Sequence, residues 1–215
     1  RSTQPSSQTI LTGQTATMAV VAASTAPLTY QWYLGPSGNI TNSIAAAVDK
    51  DWHQLDVLVN NAAGASPYGE KPSGTDLAQA KVVMEATLFG AWRLCQTFMP
   101  LLKRSLAARI VNVSSGAGSH GDPLFGFASG NGMGPGYAIS KAALNALTAA
   151  LAFELKGSRV LVNAVCPGFT ATFPGGESMG ARPVSEGAAG IVWAATLGDG
   201  GPSGGFFRDG KALPW

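Results

Sequence analysis

The sequence predicts an α/β fold built on a parallel sheet, and three observations carry that expectation. First, three short runs share one form: LDVLVNNAAG (55–64), ARIVNVSSGAG (108–118) and SRVLVNAVCPG (158–168). Near-continuous Val, Leu and Ile runs suit strands buried on both faces. Second, helical stretches separate them. Residues 75–105 have helical composition up to Pro100, and 137–156 contain no glycine or proline before a stop at Gly157. Strand alternating with helix means an α/β domain. Third, each run ends in small or polar residues: Asn60-Asn61, Ser114-Ser115 and Pro167-Gly168. Ligands in open α/β sheets bind outside the carboxyl ends of the strands, so one edge is expected to carry the chemistry.

The front of the chain reads differently. Residues 1–44 have β character, with TATMAVVAAS partly alternating and APLTYQWYLGPSGN an aromatic strand closed by a turn. From about Asp56 the pattern changes, which divides the chain into a β segment, 1–48, and an α/β domain, 49–215. Trp92 and Phe98 read as helix core. GDGGPSGG (198–205) reads as a glycine-rich loop.

Composition narrows the function. Hydrophobic residues make up 46% and charged residues 12% of 215, enough apolar content for one ample core. A net charge of +2 and no basic stripe argue against a nucleic-acid surface. Cys95 and Cys166 lie in apolar stretches and read as small buried hydrophobes, not as a disulfide framework. His53 and His120 stand apart from ligand-spaced partners, so no metal site is expected. No uninterrupted apolar stretch is long enough for a membrane span, and RSTQPSSQTI does not read as a leader. The first residue is not Met, which leaves room for an upstream segment.

Tyr137 and Lys141 stand four residues apart, on one face of a helix. A phenol titrates near about 10, and a nearby ammonium favours phenolate. Such a tyrosine can give a proton to a carbonyl oxygen or take one from an alcohol, with a serine from a neighbouring strand end holding the same oxygen. Alone, the spacing also fits a packed ring and a solvated lysine; the strand ends beside it favour chemistry.

With these motifs in order, residues 55–215 resemble the C-terminal part of a short-chain dehydrogenase/reductase. LVNNAAG is similar to the family's Asn-Asn-Ala-Gly strand end, with Ala63 for the usual glycine. IVNVSS and YAISK resemble the catalytic serine segment and the Tyr-x-x-x-Lys helix, and VNAVCPGFTAT the cofactor-side turn. GGFFRDGKALPW resembles the tails of carbonyl-reductase-like members. The resemblance implies Tyr137 as proton donor or acceptor, Ser115 as the group orienting the substrate, and Lys141 as tuning Tyr137 and holding a ribose. It places Asn60 and Ala62 on the adenosine side of an NAD(P) cleft, and Pro167, Gly168, Thr170 and Thr172 on the nicotinamide side. Thr87 stands where the family often has a catalytic asparagine. Phe125, Phe127 and Met133 border the substrate region and offer an apolar wall.

The family's phosphate turn, Thr-Gly-x-x-x-Gly-x-Gly between strand and helix, has no match in residues 1–55. Thr12-Gly13 lacks the later glycines, and a strand-like run follows it. Residues 4–39 instead resemble half of a bacterial immunoglobulin-like repeat, with Trp32 as its core tryptophan. The expected architecture is therefore a chimera: a truncated Rossmann-like sheet with helices, preceded by a short β segment. Its expected activity is oxidoreduction of a small-molecule carbonyl or secondary alcohol with weakly bound NAD(P). The alternatives are a cofactor-independent esterase using Ser115, Tyr137 and Lys141, or a non-catalytic fold. Open sheet edges favour a homo-oligomer, in which the family's two long helices often pack against a partner. The α/β part favours the cytoplasm.

Overall fold

A computed structural model of the chain describes residues 17–23, 27–33, 39–129 and 133–215. Two compact units divide between Ala47 and Val48. In the first, β1 (Thr17–Ala23) and β2 (Pro27–Tyr33) pair antiparallel, with Met18 opposite Trp32. The core role expected of Trp32 concerns a side chain outside the described residues. Thr12 and Gly13 lie outside them too.

Helix α1 (Asn39–Trp52) starts inside the stretch expected to be β. NITNSIAAAVDKDW holds three consecutive alanines and no glycine or proline, so helix propensity prevails from Asn39 onward. The helix runs across the expected boundary at residue 48 and ends at His53, whose φ of 61° is the left-handed cap conformation.

The second unit holds a five-stranded sheet in the order β3 (Val57–Asn60), β4 (Ala108–Val113), β5 (Val160–Val165), β6 (Phe206–Arg208), β7 (Lys211–Ala212). The first four run parallel and β7 turns back antiparallel. Alternation along the strands sets the layers. Val59, Val111 and Val165 meet helix α5 (Val184–Ala195) through Ile191 and Ala194. The opposite face bears Asn60 and Asn112 and receives α3 (Gly90–Leu102) and α4 (Pro135–Glu154). This is the parallel α/β fold that the three aliphatic runs predict.

The long helix ahead of β4 has three parts. An α-helix, α2 (Leu77–Met84), passes through a wider π turn at Glu85–Phe89 into α3. Pro100 sits in the last turn of α3, which continues to Leu102 rather than stopping at the proline. Ala91, Cys95, Phe98 and Leu102 form the buried stripe of α3. Trp92 stands about a hundred degrees off that stripe and is 41% exposed, so of the two aromatic residues expected in the core only Phe98 belongs to it.

Leu102 is fully buried, whereas Leu106 is 69% exposed. Leu102→Ala should therefore lower unfolding stability by about 2–5 kcal/mol, and Leu106→Ala by less than about 0.5. Urea unfolding followed by tryptophan fluorescence checks this; equal effects would mean that α3 does not pack as described.

Candidate active site

The carboxyl ends of β3, β4 and β5 lie side by side, because Asn60 pairs with Asn112 and Val113 with Val165. Ser115 and Pro167 each follow two residues after their strand. Helix α4 crosses beside β4 and turns one polar row toward it, spaced as a helix face requires: Tyr137, Lys141, Asn145 and Thr148.

Each member of that row has a partner. Ser115 lies beside the Tyr137 hydroxyl and favours its ionised form. Lys141 is 2% exposed; its Nζ donates to the Val113 carbonyl at 2.6 Å and lies 5.6 Å from the centre of the Tyr137 ring. Asn145 Oδ1 accepts from Ser114 Oγ at 2.5 Å, and Asn145 Nδ2 donates to Gly118 O at 3.3 Å. Thr148 Oγ1 accepts from Asn112 Nδ2 at 2.8 Å, and Asn112 Oδ1 accepts from Asn60 Nδ2 at 2.8 Å. The two serines of the pair thus divide: Ser114 faces the interior and Ser115 faces Tyr137. Ser115 Oγ also accepts from Ala117 N at 3.2 Å, which leaves its own proton to donate.

Burial dominates the titration of this site. It pushes the Tyr137 phenol above its ordinary range; Ser115 pulls the other way, and Cys166 and Tyr68 add to the rise. The net direction is opposite to that expected from a nearby ammonium, because desolvation of a phenolate outweighs its neighbours here. Burial likewise lowers Lys141 to about 8, against a smaller upward pull from Cys166. Cys95 is pushed up to about 11 by burial, with a hydrogen bond from Asn60 opposing. Both cysteines are buried and free, as expected, yet both sulfurs also accept hydrogen bonds.

Sequence reasoning missed Asn112, Asn145 and Thr148. The signal was available for the last two: they continue the Tyr137–Lys141 spacing as polar residues in an apolar helix. Thr87, fully buried in the π turn, accepts from Gly64 N at 3.1 Å and ties the loop after β3 to the long helix. His53 is exposed, and His120 packs against Phe127 with ring centres 5.1 Å apart. Among the described residues no group of three or more His, Cys, Asp and Glu could hold a metal ion, and no helix is long and apolar enough to cross a membrane. A shallow cleft of about 320 Å³, between the end of α4 and the start of β5, includes Phe153, Lys156 and Ser203 and none of the residues above.

The model of the short chain dehydrogenases matches residues 36–179, more than half of the chain, and the chain belongs to that family. It is 38% identical over 165 residues to the short-chain dehydrogenase anuI of Penicillium roqueforti, covering 73% of this chain and 64% of that protein. It is 28% identical to carbonyl reductase (NADPH) 1 of Mus musculus, covering 94% of this chain and 85% of that one. The NADPH-bound carbonyl reductase from chicken fatty liver superposes with a TM-score of 0.71 at 28% identity, over 83% of this chain and 74% of that one. The first two curated relatives are spanned over only 64% and 52% of their length.

The strand ends offer unspent polar groups to a ligand. Lys141 spends one of its three donors on Val113 and keeps two. Asn60 Oδ1 is a buried side-chain acceptor without a partner. Ala62 and Thr172 are exposed at the strand ends, and Pro167, Gly168 and Thr170 are half-buried. Gly168 has φ of +74° and backs onto Arg182, and Thr170 Oγ1 is bonded to the carbonyls of Pro167 and Gly168.

The Lys141 shift has a consequence for stability. Its pKa of about 8 in the folded chain lies below the value near 10.4 of an unfolded lysine. The unfolded chain therefore binds more protons between these values, and this group's penalty, full below about pH 8, fades as pH rises toward about 10. Lys141→Met should raise the urea midpoint at pH 7 and lose that advantage by pH 10. An equal change at both pH values would mean that the buried ammonium is not the source.

Proposed function

We propose that this chain is an NAD(P)-dependent oxidoreductase that interconverts a small-molecule carbonyl and its secondary alcohol. The observation that carries the reading is Tyr137 beside Ser115 with the buried Lys141 ammonium 5.6 Å from the centre of its ring, at the carboxyl end of a parallel sheet. A nicotinamide held at these strand ends would supply or accept the hydride. Ser115 holds the substrate oxygen by donating its hydroxyl proton to it. Tyr137 gives its phenolic proton to that oxygen in reduction and takes it back in oxidation. Lys141 offsets the charge that develops on Tyr137 and holds a ribose hydroxyl with a remaining donor. Asn60 and Ala62 border the adenosine side, and Pro167, Gly168, Thr170 and Thr172 the nicotinamide side. The loops after β3, β4 and β5 carry exposed Tyr68, Leu124, Phe127, Phe173 and Met179, which supports an apolar substrate.

Two further proposals follow from the sequence. Dinucleotide binding is weak, because residues 1–55 lack the glycines that bring backbone N–H groups to a pyrophosphate. Losing two or three charge-assisted hydrogen bonds, at roughly 1.5–3 kcal/mol each, weakens binding by several powers of ten. The chain also self-associates through its long helices, whose outer faces expose Val82, Phe89, Trp92, Ile139 and Phe153.

Tyr137→Phe should lower kcat for NADPH-driven carbonyl reduction by about 10²–10⁴ while thermal unfolding is unchanged, since the ring stays and only the proton is lost. Turnover at the wild-type rate would remove Tyr137 as the acid. Ester cleavage without cofactor, also lost in this variant, would transfer the site to the hydrolase reading. Calorimetry is expected to show NADPH binding far weaker than about 1 μM; tighter binding would overturn the weak-cofactor reading.

Sedimentation equilibrium should show a dimer or larger species that dissociates in Trp92→Glu. A wild-type monomer at about 100 μM would refute the helix interface.

A further inference from the structure

One cluster behind Ser115 has no role in the reaction described above. Cys166 is 3% exposed, and its sulfur receives four N–H groups: Gly116 N at 3.2 Å, Gly168 N at 3.4 Å, and Arg208 Nε and Nη2 at 3.4 Å each. Three strand ends thus meet on one sulfur: Gly116 follows β4, Gly168 follows β5, and Arg208 closes β6. Arg208 also pairs with the Asp122 carboxylate, in an ion pair whose side chains are 12% and 0% exposed. Asp122 Oδ1 in turn accepts from Leu124 N at 2.9 Å, and the guanidinium lies 5.3 Å from the centre of the Phe125 ring.

The packing leaves no slack. A Cβ placed on Gly116 would stand 2.1 Å from Asp122 Oδ2 and 2.4 Å from Arg208 Nη2. The ion pair therefore rests directly on the residue next to Ser115. The C-terminal segment grips the same loop twice more. Ser119 Oγ donates to Pro214 O at 2.8 Å and His120 N to Trp215 O at 2.9 Å, while Trp215 stacks on Phe206 at 5.6 Å.

We propose that Arg208 is a positioning residue of the active site. Held between the Cys166 sulfur and the Asp122 carboxylate, it fixes the backbone at Gly116 and so aims the Ser115 hydroxyl at Tyr137. The guanidinium suits this task because its fork presents donors in two directions from one plane, to the sulfur and to the carboxylate together. A lysine supplies the charge without the fork. The inference rests on the proposed role of Ser115 in orienting the substrate.

Three variants test it: Arg208→Met, Arg208→Lys and Asp122→Asn. The first readout needs no turnover. Iodoacetamide alkylation of Cys166 and Cys95 is followed separately by peptide mass spectrometry. In Arg208→Met, Cys166 should react about tenfold faster while Cys95, fully buried in α3, stays protected. The second readout is kinetic. With Ser115 misaimed, kcat for carbonyl reduction should fall about 10- to 100-fold, with KM for NADPH within about twofold of wild type. Arg208→Lys should recover part of both, and Asp122→Asn should resemble Arg208→Met. If Arg208→Met exposes both cysteines together it has unfolded, and the two conservative variants decide. Cys166 protected as in wild type in all folded variants would overturn the clamp. Cys166 exposed with kcat unchanged would overturn its link to Ser115. If the wild type reduces no carbonyl, the proposed activity falls, and the alkylation contrast alone still decides the clamp.

Discussion

The buried ammonium of Lys141 is the constraint on which the rest of the site depends. An ammonium taken out of water costs several kcal/mol unless it finds partners, and the one that the fold supplies is the Val113 carbonyl at 2.6 Å. That bond pins the middle of α4 to the last residue of β4. Ser114–Asn145 and Asn112–Thr148 extend the same seam by one and two helical turns. Once the seam is closed, the position of Tyr137 follows, because it stands one turn before Lys141 on the same face. An apolar residue at 141 would remove the desolvation penalty but also the ammonium near the Tyr137 ring. The expected gain in stability on Lys141→Met is thus the counterpart of the activity it would remove.

Close backbone approach makes the seam possible. The short turn after Ser115 lies against α4 so tightly that a Cβ on Gly118 would stand 2.5 Å from Ala142 N and 2.6 Å from the Lys141 carbonyl carbon. Only glycine lets the strand end collapse onto the helix at this point, and Asn145 Nδ2 then reaches Gly118 O. The run Ser-Ser-Gly-Ala-Gly therefore reads in physical terms. One serine goes to the interior and one to the cleft, and its two glycines admit the Arg208–Asp122 pair on one side and the helix on the other.

What was legible in the sequence was local. The three aliphatic runs, their polar ends, and the spacing of Tyr137 and Lys141 each lie within a dozen residues, where periodicity speaks directly. The start of α1 is not legible because a threonine- and aromatic-rich stretch precedes it, and the alanine run 45–47 is short beside that context. Trp92 differs because the stripe Ala91, Cys95, Phe98, Leu102 takes the buried face of α3 and leaves it to one side. The direction of the Tyr137 shift was not legible at all. It depends on how fully the fold buries the ring, and no pair spacing encodes that. Arg208 and Asp122 lie 86 positions apart, beyond the reach of any pattern in either segment.

The two titrating groups of the site are pushed in directions that suit one another. A phenol raised by burial stays protonated through the neutral range, which is the form that donates to a carbonyl oxygen. An amine lowered to about 8 remains mostly charged at pH 7 and loses its proton just above. Both effects come from the same exclusion of water, so they rise and fall together if the cover over Tyr137 is loosened. Opening the site would return the phenol toward its ordinary value and the amine toward its own. The chemistry proposed for Tyr137 therefore rests less on any one neighbour than on the packing of the strand-end loops over α4. For that reason the long-range ties of those loops matter to the reaction although they touch neither substrate nor cofactor.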